Sequence, residues 1–164
     1  MMDFDIEERV AKARRLFKED GYNCCQAVVL AYSDLFGLDD TLAASLSSGF
    51  GGGMGRMREV CGSVSGMVML AGLISPADDP SAKEGRTRNY ALVQEVAGEF
   101  RKINGSIVCK ELLGIMPMGS SAAAPAESPE PSDRTPEYYR KRPCEELVGI
   151  SARIIGEKLL KMND

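Results

Sequence analysis

Apolar residues recur at helical spacing along most of the chain. The first such segment covers about residues 4–19 and has its apolar side chains three or four positions apart, at Ile6, Val10, Ala13 and Phe17. No segment shows the sustained apolar–polar alternation of a β-strand. The pattern therefore predicts an all-α fold, a compact bundle of five to seven helices in a single domain.

Capping residues and glycines predict where the other helices begin and end. The second predicted helix covers 24–36, capped by Asn23 and closed by Gly37, and a short helix follows from Asp39 or Asp40 to about residue 48. The next two are a helix at 59–74 and one of roughly 22 residues after a capping box at Ser81 and Glu84. A short helix capped by Ser106 and a turn at 137–141 precede the last helix, which has Pro143 at its first position.

Two segments lack this periodicity. Residues 116–135 are rich in Pro, Ser, Ala and Gly and have little apolar surface to bury, so we expect a mobile loop. Residues 49–56 read GFGGGMGR, which predicts a loop or a broken helix. Tight packing near Cys61 is the favoured role of this glycine segment over phosphate binding, because it lacks the residue order of a P-loop and no strand precedes it.

Composition excludes several kinds of chemistry. The chain contains no histidine, so a Ser–His–Asp triad, a Cys–His nucleophile and Cys/His zinc sites are ruled out. A net charge of −4 argues against a nucleic-acid partner. No apolar run is long enough for a membrane span and the first residues do not resemble a signal peptide, so we expect a cytoplasmic protein that does not bind membranes.

Five cysteines remain as the candidate chemistry: Cys24, Cys25, Cys61, Cys109 and Cys144. In the cytoplasm thiols are kept reduced, so such a set points to metal binding or catalysis more than to structural disulfides. Cys24, Cys61, Cys109 and Cys144 each fall in the first turn of a different predicted helix. A helix N-terminus carries partial positive charge, which predicts thiol pKa values below the usual range.

Each of these four cysteines also begins an apolar stripe, so the four side chains could converge at one end of the bundle. Four thiolates are a ligand set for zinc or for an iron–sulfur cluster, and low-pKa thiols are also redox groups. Taken singly, each is better explained as a small buried apolar residue than by chemistry, and core packing is the expected role of Cys25. Arg56, Arg58 and the basic run 140–142 either lower the thiol pKa values or are simply solvated.

These residues resemble the C_GCAxxG_C_C family, which is named for redox activity and has four characteristic cysteines and a CGAxxG motif. The segments that carry the resemblance, which covers nearly the whole chain, are NCCQAV at 23–28, GFGGGMGR at 49–56, CGSVSG at 61–66, CKELLG at 109–114 and RPCEELV at 142–148. The resemblance implies that Cys24, Cys61, Cys109 and Cys144 are the family cysteines. Ser63 replaces the motif alanine, Cys25 is an addition, and the 116–135 segment is unusually long.

The sequence therefore predicts a redox-active protein, an oxidoreductase or an electron carrier, that uses Cys24, Cys61, Cys109 and Cys144 as catalytic thiols or metal ligands. Thiol–disulfide exchange and electron transfer by an iron–sulfur cluster both remain open. The alternative is a helical module that binds structural zinc or a partner protein without redox turnover. The expected partner is an unidentified redox protein, and a homo-oligomer is also compatible with the sequence.

Overall fold

The computed structural model describes residues 2–162, which form an all-α fold, as predicted. Its eight helices, one more than the predicted range, are α1 (Ile6–Lys18), α2 (Cys24–Leu30), α3 (Asp40–Ser47), α4 (Gly62–Ile74), α5 (Lys83–Asn104), α6 (Cys109–Leu112), α7 (Pro136–Lys141) and α8 (Cys144–Lys161). Residues 48–50 form a 3₁₀ turn, and residues 51–54 form one further turn in which Gly52 and Gly53 have left-handed backbone. No strand occurs within 2–162, where the one isolated β-bridge joins Val60 to Val108.

Helix α4 lies at the centre and packs against α2, α5 and α8, while α1 packs along α8. Small residues on α4 allow the close approach of α2, because a Cβ atom at Gly66 would lie only 2.9 Å from the Val28 Cβ and 3.1 Å from the Cys25 carbonyl oxygen. The main core gathers buried side chains from α1, α2, α4, α5 and α8. Within the described residues, no helix combines the length and apolarity that crossing a bilayer requires.

Several predicted helix ends are wrong, among them those of α2 and α5. Helix α2 stops at Leu30 rather than near residue 36, because the buried Ser33 hydroxyl donates to the Leu30 carbonyl and the chain turns into a short 3₁₀ segment. The Ser81 capping box does not form, since the Ser81 hydroxyl donates to Asp79 and Ala82 occupies the cap position. The helix that follows nevertheless has the predicted length of 22 residues.

The contact between Tyr32 and α8 gives a test of this packing. Tyr32 is fully buried and donates a hydrogen bond to the Ala152 carbonyl over 2.7 Å, and a Cβ atom at Gly156 would collide with its hydroxyl. We expect Gly156→Ala to lower the free energy of unfolding by about 1–3 kcal/mol. Gly98→Ala, where nothing lies within 4 Å, should raise it by about 0.5–1 kcal/mol. Urea unfolding of both variants measures the difference, and equal effects would contradict this packing.

Candidate functional site

The cysteines of α2 and α4 stand at the starts of their helices. Asn23 caps α2 as predicted: its side chain accepts from the Gln26 N–H and its own N–H donates to the Gln26 side chain, both over 3.0 Å. Cys24 is therefore the first residue of α2. Cys61 is the cap residue of α4. The next residue, Gly62, brings the two helix starts together, because any Cβ there would overlap the Cys24 sulfur.

Cys109 and Cys144 are the first residues of α6 and α8, which shifts both by one or two positions from the sequence prediction. Val108 rather than Ser106 occupies the cap position of α6, and the Ser106 hydroxyl accepts from the Val108 N–H just outside the helix. Pro143 is the cap residue of α8 rather than its first helical residue. All four predicted cysteines thus lie at the cap or the first position of a helix.

A short antiparallel bridge joins the chain segments of Cys61 and Cys109. Val60 pairs with Val108, the Cys61 N–H donates to the Ile107 carbonyl over 2.8 Å, and the Cys109 N–H donates to the Glu59 carbonyl over 2.6 Å. These are backbone hydrogen bonds, so they hold the start of α4 beside the start of α6 whatever the side chains are. The bridge explains how two cysteines 48 positions apart become neighbours.

Cys24, Cys61, Cys109 and Cys144 line one cavity of about 50 Å³, which we call the cysteine cavity. Its other lining side chains include the apolar Phe17, Leu112, Leu113 and Leu147 and the polar Arg58, Arg134, Tyr138 and Arg142. Cys25 points elsewhere: it is fully buried in a second apolar cluster and its sulfur lies 3.8 Å from the Met69 sulfur. Within residues 2–162, no group of three Cys, Asp or Glu side chains is arranged to hold a metal ion.

The four thiols influence one another's ionisation. Burial raises the pKa of Cys24 and of Cys144 to about 11 and that of Cys61 to about 12. The negative charge of the neighbouring thiolates raises these pKa values further. The prediction that the helix N-termini lower the thiol pKa values is therefore wrong for this cavity, where desolvation outweighs the backbone N–H groups of Gly52 and Cys25 that face Cys24.

Cys109 differs from the other three because a cation touches it. The Arg58 guanidinium, only 3% exposed, has Nη1 3.8 Å from the Cys109 sulfur. Burial raises the pKa of Cys109 as well, but the hydrogen bond and charge of Arg58 and the charge of Arg142 oppose that rise. Of the two interpretations of Arg58, solvation and a role beside the thiols, the structure supports the second.

Cys61 has hydroxyl neighbours instead of a cation. Its sulfur lies 3.2 Å from the Ser63 hydroxyl, which accepts a hydrogen bond from the Ser151 hydroxyl over 3.0 Å, and both serines are fully buried. This contact lowers the pKa of Cys61 without cancelling the effect of burial. The serine in the motif position expected to hold alanine therefore touches a cavity thiol.

The 116–135 segment is attached next to this cavity by ion pairs and hydrogen bonds. Glu127 accepts from Arg58 Nη2 over 2.9 Å and from Arg56 Nη2 over 3.0 Å, and the Lys110 ammonium donates to the Ala122 carbonyl. At the end of the segment, Arg134 donates to the Phe17 and Tyr22 carbonyls and lies 4.4 Å from the centre of the Phe17 ring. The mobility of the segment stays a prediction.

The turn between α3 and α4 contains strained backbone. Met54, Arg56 and Arg58 all have positive φ angles, 67°, 67° and 62°, which side chains other than glycine rarely adopt. Gly53 also has a positive φ, and a Cβ there would lie 2.6 Å from the Cys109 Cβ. The glycine segment is therefore tightly packed as predicted, at Gly53 against Cys109 and at Phe50 beside Cys61, where the Phe50 carbonyl oxygen would lie 2.8 Å from a Cβ at Gly62.

Sequence reasoning missed Glu127, Arg134 and Tyr138 as neighbours of the cysteines. Each lies in or just beyond a segment without apolar periodicity, so nothing in the local pattern indicated what it contacts. The one available signal was charge, because Glu127 and Arg134 are among the few charged residues in a segment dominated by Pro, Ser and Ala.

Comparison with known proteins gives a single finding. The family model described as "Putative redox-active protein (C_GCAxxG_C_C)" matches residues 22–158, a range that contains all five cysteines. No curated protein and no solved structure matches the chain.

Gly62 tests the contact between the starts of α2 and α4. Gly62→Ala places a Cβ against the Cys24 sulfur and 2.8 Å from the Phe50 carbonyl oxygen. We expect a loss of about 1–3 kcal/mol in the free energy of unfolding and a changed rate of Cys24 alkylation, measured by urea unfolding and mass spectrometry. Gly72→Ala, on the same helix but with nothing within 4 Å, is the control. Identical behaviour of the two variants would contradict the contact.

Glu127 gives a pH-dependent test of the docked segment. Arg58 and Arg56 lower the pKa of Glu127 from its ordinary value of 4.5 to about 2, so its contribution to stability is complete above pH 4.5 and is lost as the pH falls toward about 2. In Glu127→Gln we expect lower stability at neutral pH and a weaker pH dependence in that interval, measured by urea unfolding. Glu130→Gln, on the same segment but outside every ion pair of the described residues, should behave as the wild type.

Proposed function

Since the chain belongs to the C_GCAxxG_C_C family, we propose that it is a redox protein whose reactive centre is the cysteine cavity, working as a dithiol–disulfide couple. One observation carries the proposal: the four cysteines that the resemblance selects line one cavity, and the fifth does not. Two thiols in such a cavity can form a disulfide by giving two electrons and two protons to a disulfide-bearing acceptor.

Cys109 is the best candidate for the attacking sulfur. Arg58 contacts only this sulfur among the four, and a positive neighbour favours the thiolate, which is the nucleophilic form. In the first step the Cys109 thiolate attacks one sulfur of the acceptor disulfide and expels the other as a thiolate, which takes up a proton. A second cavity cysteine then attacks the Cys109 sulfur, expels the remaining acceptor thiolate and completes the internal disulfide.

The four-way coupling of the thiols favours a second candidate, a metal centre. Each of the six pairs among Cys24, Cys61, Cys109 and Cys144 contributes a charge repulsion that raises a thiol pKa. A cation held between the four sulfurs would remove that repulsion, which is the chemistry of Cys₄ ligation. These residues would then be the ligands. An iron–sulfur cluster would supply one-electron transfer, whereas zinc would be structural.

Anaerobic purification separates the two candidates. We expect freshly purified protein to contain less than about one iron or zinc per chain and to show no visible absorbance. Titration with bis(hydroxyethyl) disulfide should convert two thiols per chain into one disulfide, and peptide mapping should place that disulfide among the four cavity cysteines. Iron near cluster stoichiometry together with visible absorbance would contradict the dithiol couple and indicate an iron–sulfur cluster. Stoichiometric zinc would contradict it as well and indicate a structural zinc site.

Two variants complete this test. Cys25→Ser removes a buried thiol outside the cavity and should leave the two-electron titration unchanged, while Cys109→Ser should abolish the disulfide or slow its formation by at least about tenfold. A disulfide that forms at the wild-type rate in Cys109→Ser would overturn the assignment of Cys109. A disulfide that includes Cys25 would overturn the cavity as the centre.

A further inference from the structure

A second cavity adjoins the cysteine cavity and is lined by four arginines. It has a volume of about 340 Å³, and we call it the arginine vestibule. Arg56, Arg58, Arg134 and Arg142 line it. Three of them, all except Arg56, also line the cysteine cavity, so the two cavities share a wall. This concentration of positive charge stands in a chain whose net charge is −4.

The four arginines are not all neutralised by the protein. Glu127 is the only carboxylate that pairs with any of them among the described residues, and it engages Arg56 and Arg58. Arg134 bonds to backbone carbonyls. The Arg142 side chain has neither a hydrogen bond nor an ion pair within 2–162, and its guanidinium lies over the Tyr138 ring, 4.6 Å from the centroid. Its donors are therefore free to bind a ligand.

A buried donor of Arg56 is also unsatisfied. The Arg56 Nε atom is buried and has no hydrogen-bond partner in the described structure, which is costly for a charged group. Glu127 itself shows what these groups bind, since its carboxylate is held by two guanidinium groups at once. The unused donors of Arg142 suit a second oxyanion.

We propose that the arginine vestibule binds a small disulfide or thiol that carries carboxylate groups, and that it places the sulfur of this molecule at the cysteine cavity. The identity of the molecule as a redox substrate rests on the proposed function, whereas the binding of its carboxylates rests on the arginines alone. The reaction is the two-step exchange described above, in which the bound disulfide gains two electrons and leaves as two thiols.

A comparison of a charged with an uncharged disulfide distinguishes binding at the vestibule from the intrinsic reactivity of the thiols. Dithiodipropionate carries two carboxylates, which are ionised at neutral pH, and bis(hydroxyethyl) disulfide is an uncharged comparison. We measure the rate at which each oxidises the fully reduced protein and take the ratio of the two rate constants. In Arg142→Gln this ratio should fall by about tenfold, the loss expected for one charge-assisted hydrogen bond. Any change in thiol pKa affects both reagents and cancels in the ratio.

Arg140→Gln is the matched control, because it removes the same charge from an exposed side chain that does not line the vestibule. Its ratio should equal that of the wild type. A ratio that falls equally in Arg140→Gln and Arg142→Gln would reduce the effect to long-range attraction and overturn the vestibule as a binding site.

Suberate distinguishes failure of this inference from failure of the proposed function. It has the same chain length as dithiodipropionate but no sulfur, so it tests anion binding without exchange chemistry. We expect calorimetric binding to the wild type and to Arg140→Gln, with about tenfold weaker binding to Arg142→Gln. If suberate binds in this way and neither disulfide oxidises the protein, the vestibule stands and the dithiol function fails. If both disulfides react but suberate does not bind, the vestibule inference is wrong.

Discussion

The burial of the Arg58 guanidinium is the constraint on which the site depends. A charged group this deeply buried is unfavourable unless it is paired and hydrogen-bonded, and its partners are the carboxylate of Glu127 and the sulfur of Cys109. The first partner comes from the 116–135 segment and the second from the start of α6. A single buried cation thus connects the covering segment to the thiol that we propose as the nucleophile.

The electrostatics of the cysteine cavity follow from the same balance between the cost of burying a charge and the presence of groups that stabilise it. Four thiols in a cavity that no histidine or carboxylate lines cannot all ionise together, because each thiolate opposes the next and the sulfurs are desolvated. The cationic side chains that line the cavity are Arg58, Arg134 and Arg142. The cavity is therefore asymmetric: Cys109 faces a cation, Cys61 faces the Ser63 hydroxyl, and Cys24 faces backbone N–H groups.

The sequence was sufficient to predict the helices and the positions of the four cysteines at helix starts, because both depend on local periodicity and capping. It was not sufficient for the pKa values, since the field of a helix N-terminus is a local property whereas desolvation depends on every element around the cavity. The bridge between Val60 and Val108 is similarly invisible, because a single pair of residues leaves no alternating pattern. The ion pairs of Glu127 with Arg56 and Arg58 could not be predicted either, because contacts between distant parts of the chain leave no local pattern in the sequence.

The left-handed turn before α4 also shows where this protein can be stabilised. A residue other than glycine costs about 1 kcal/mol in that conformation, and Met54, Arg56 and Arg58 each bear such a cost. Two of these side chains hold Glu127, so their retention has a structural reason. Met54 is about half exposed and lines neither cavity. Position 54 is therefore a site where a glycine relieves conformational strain while the sulfur and arginine groups keep their places.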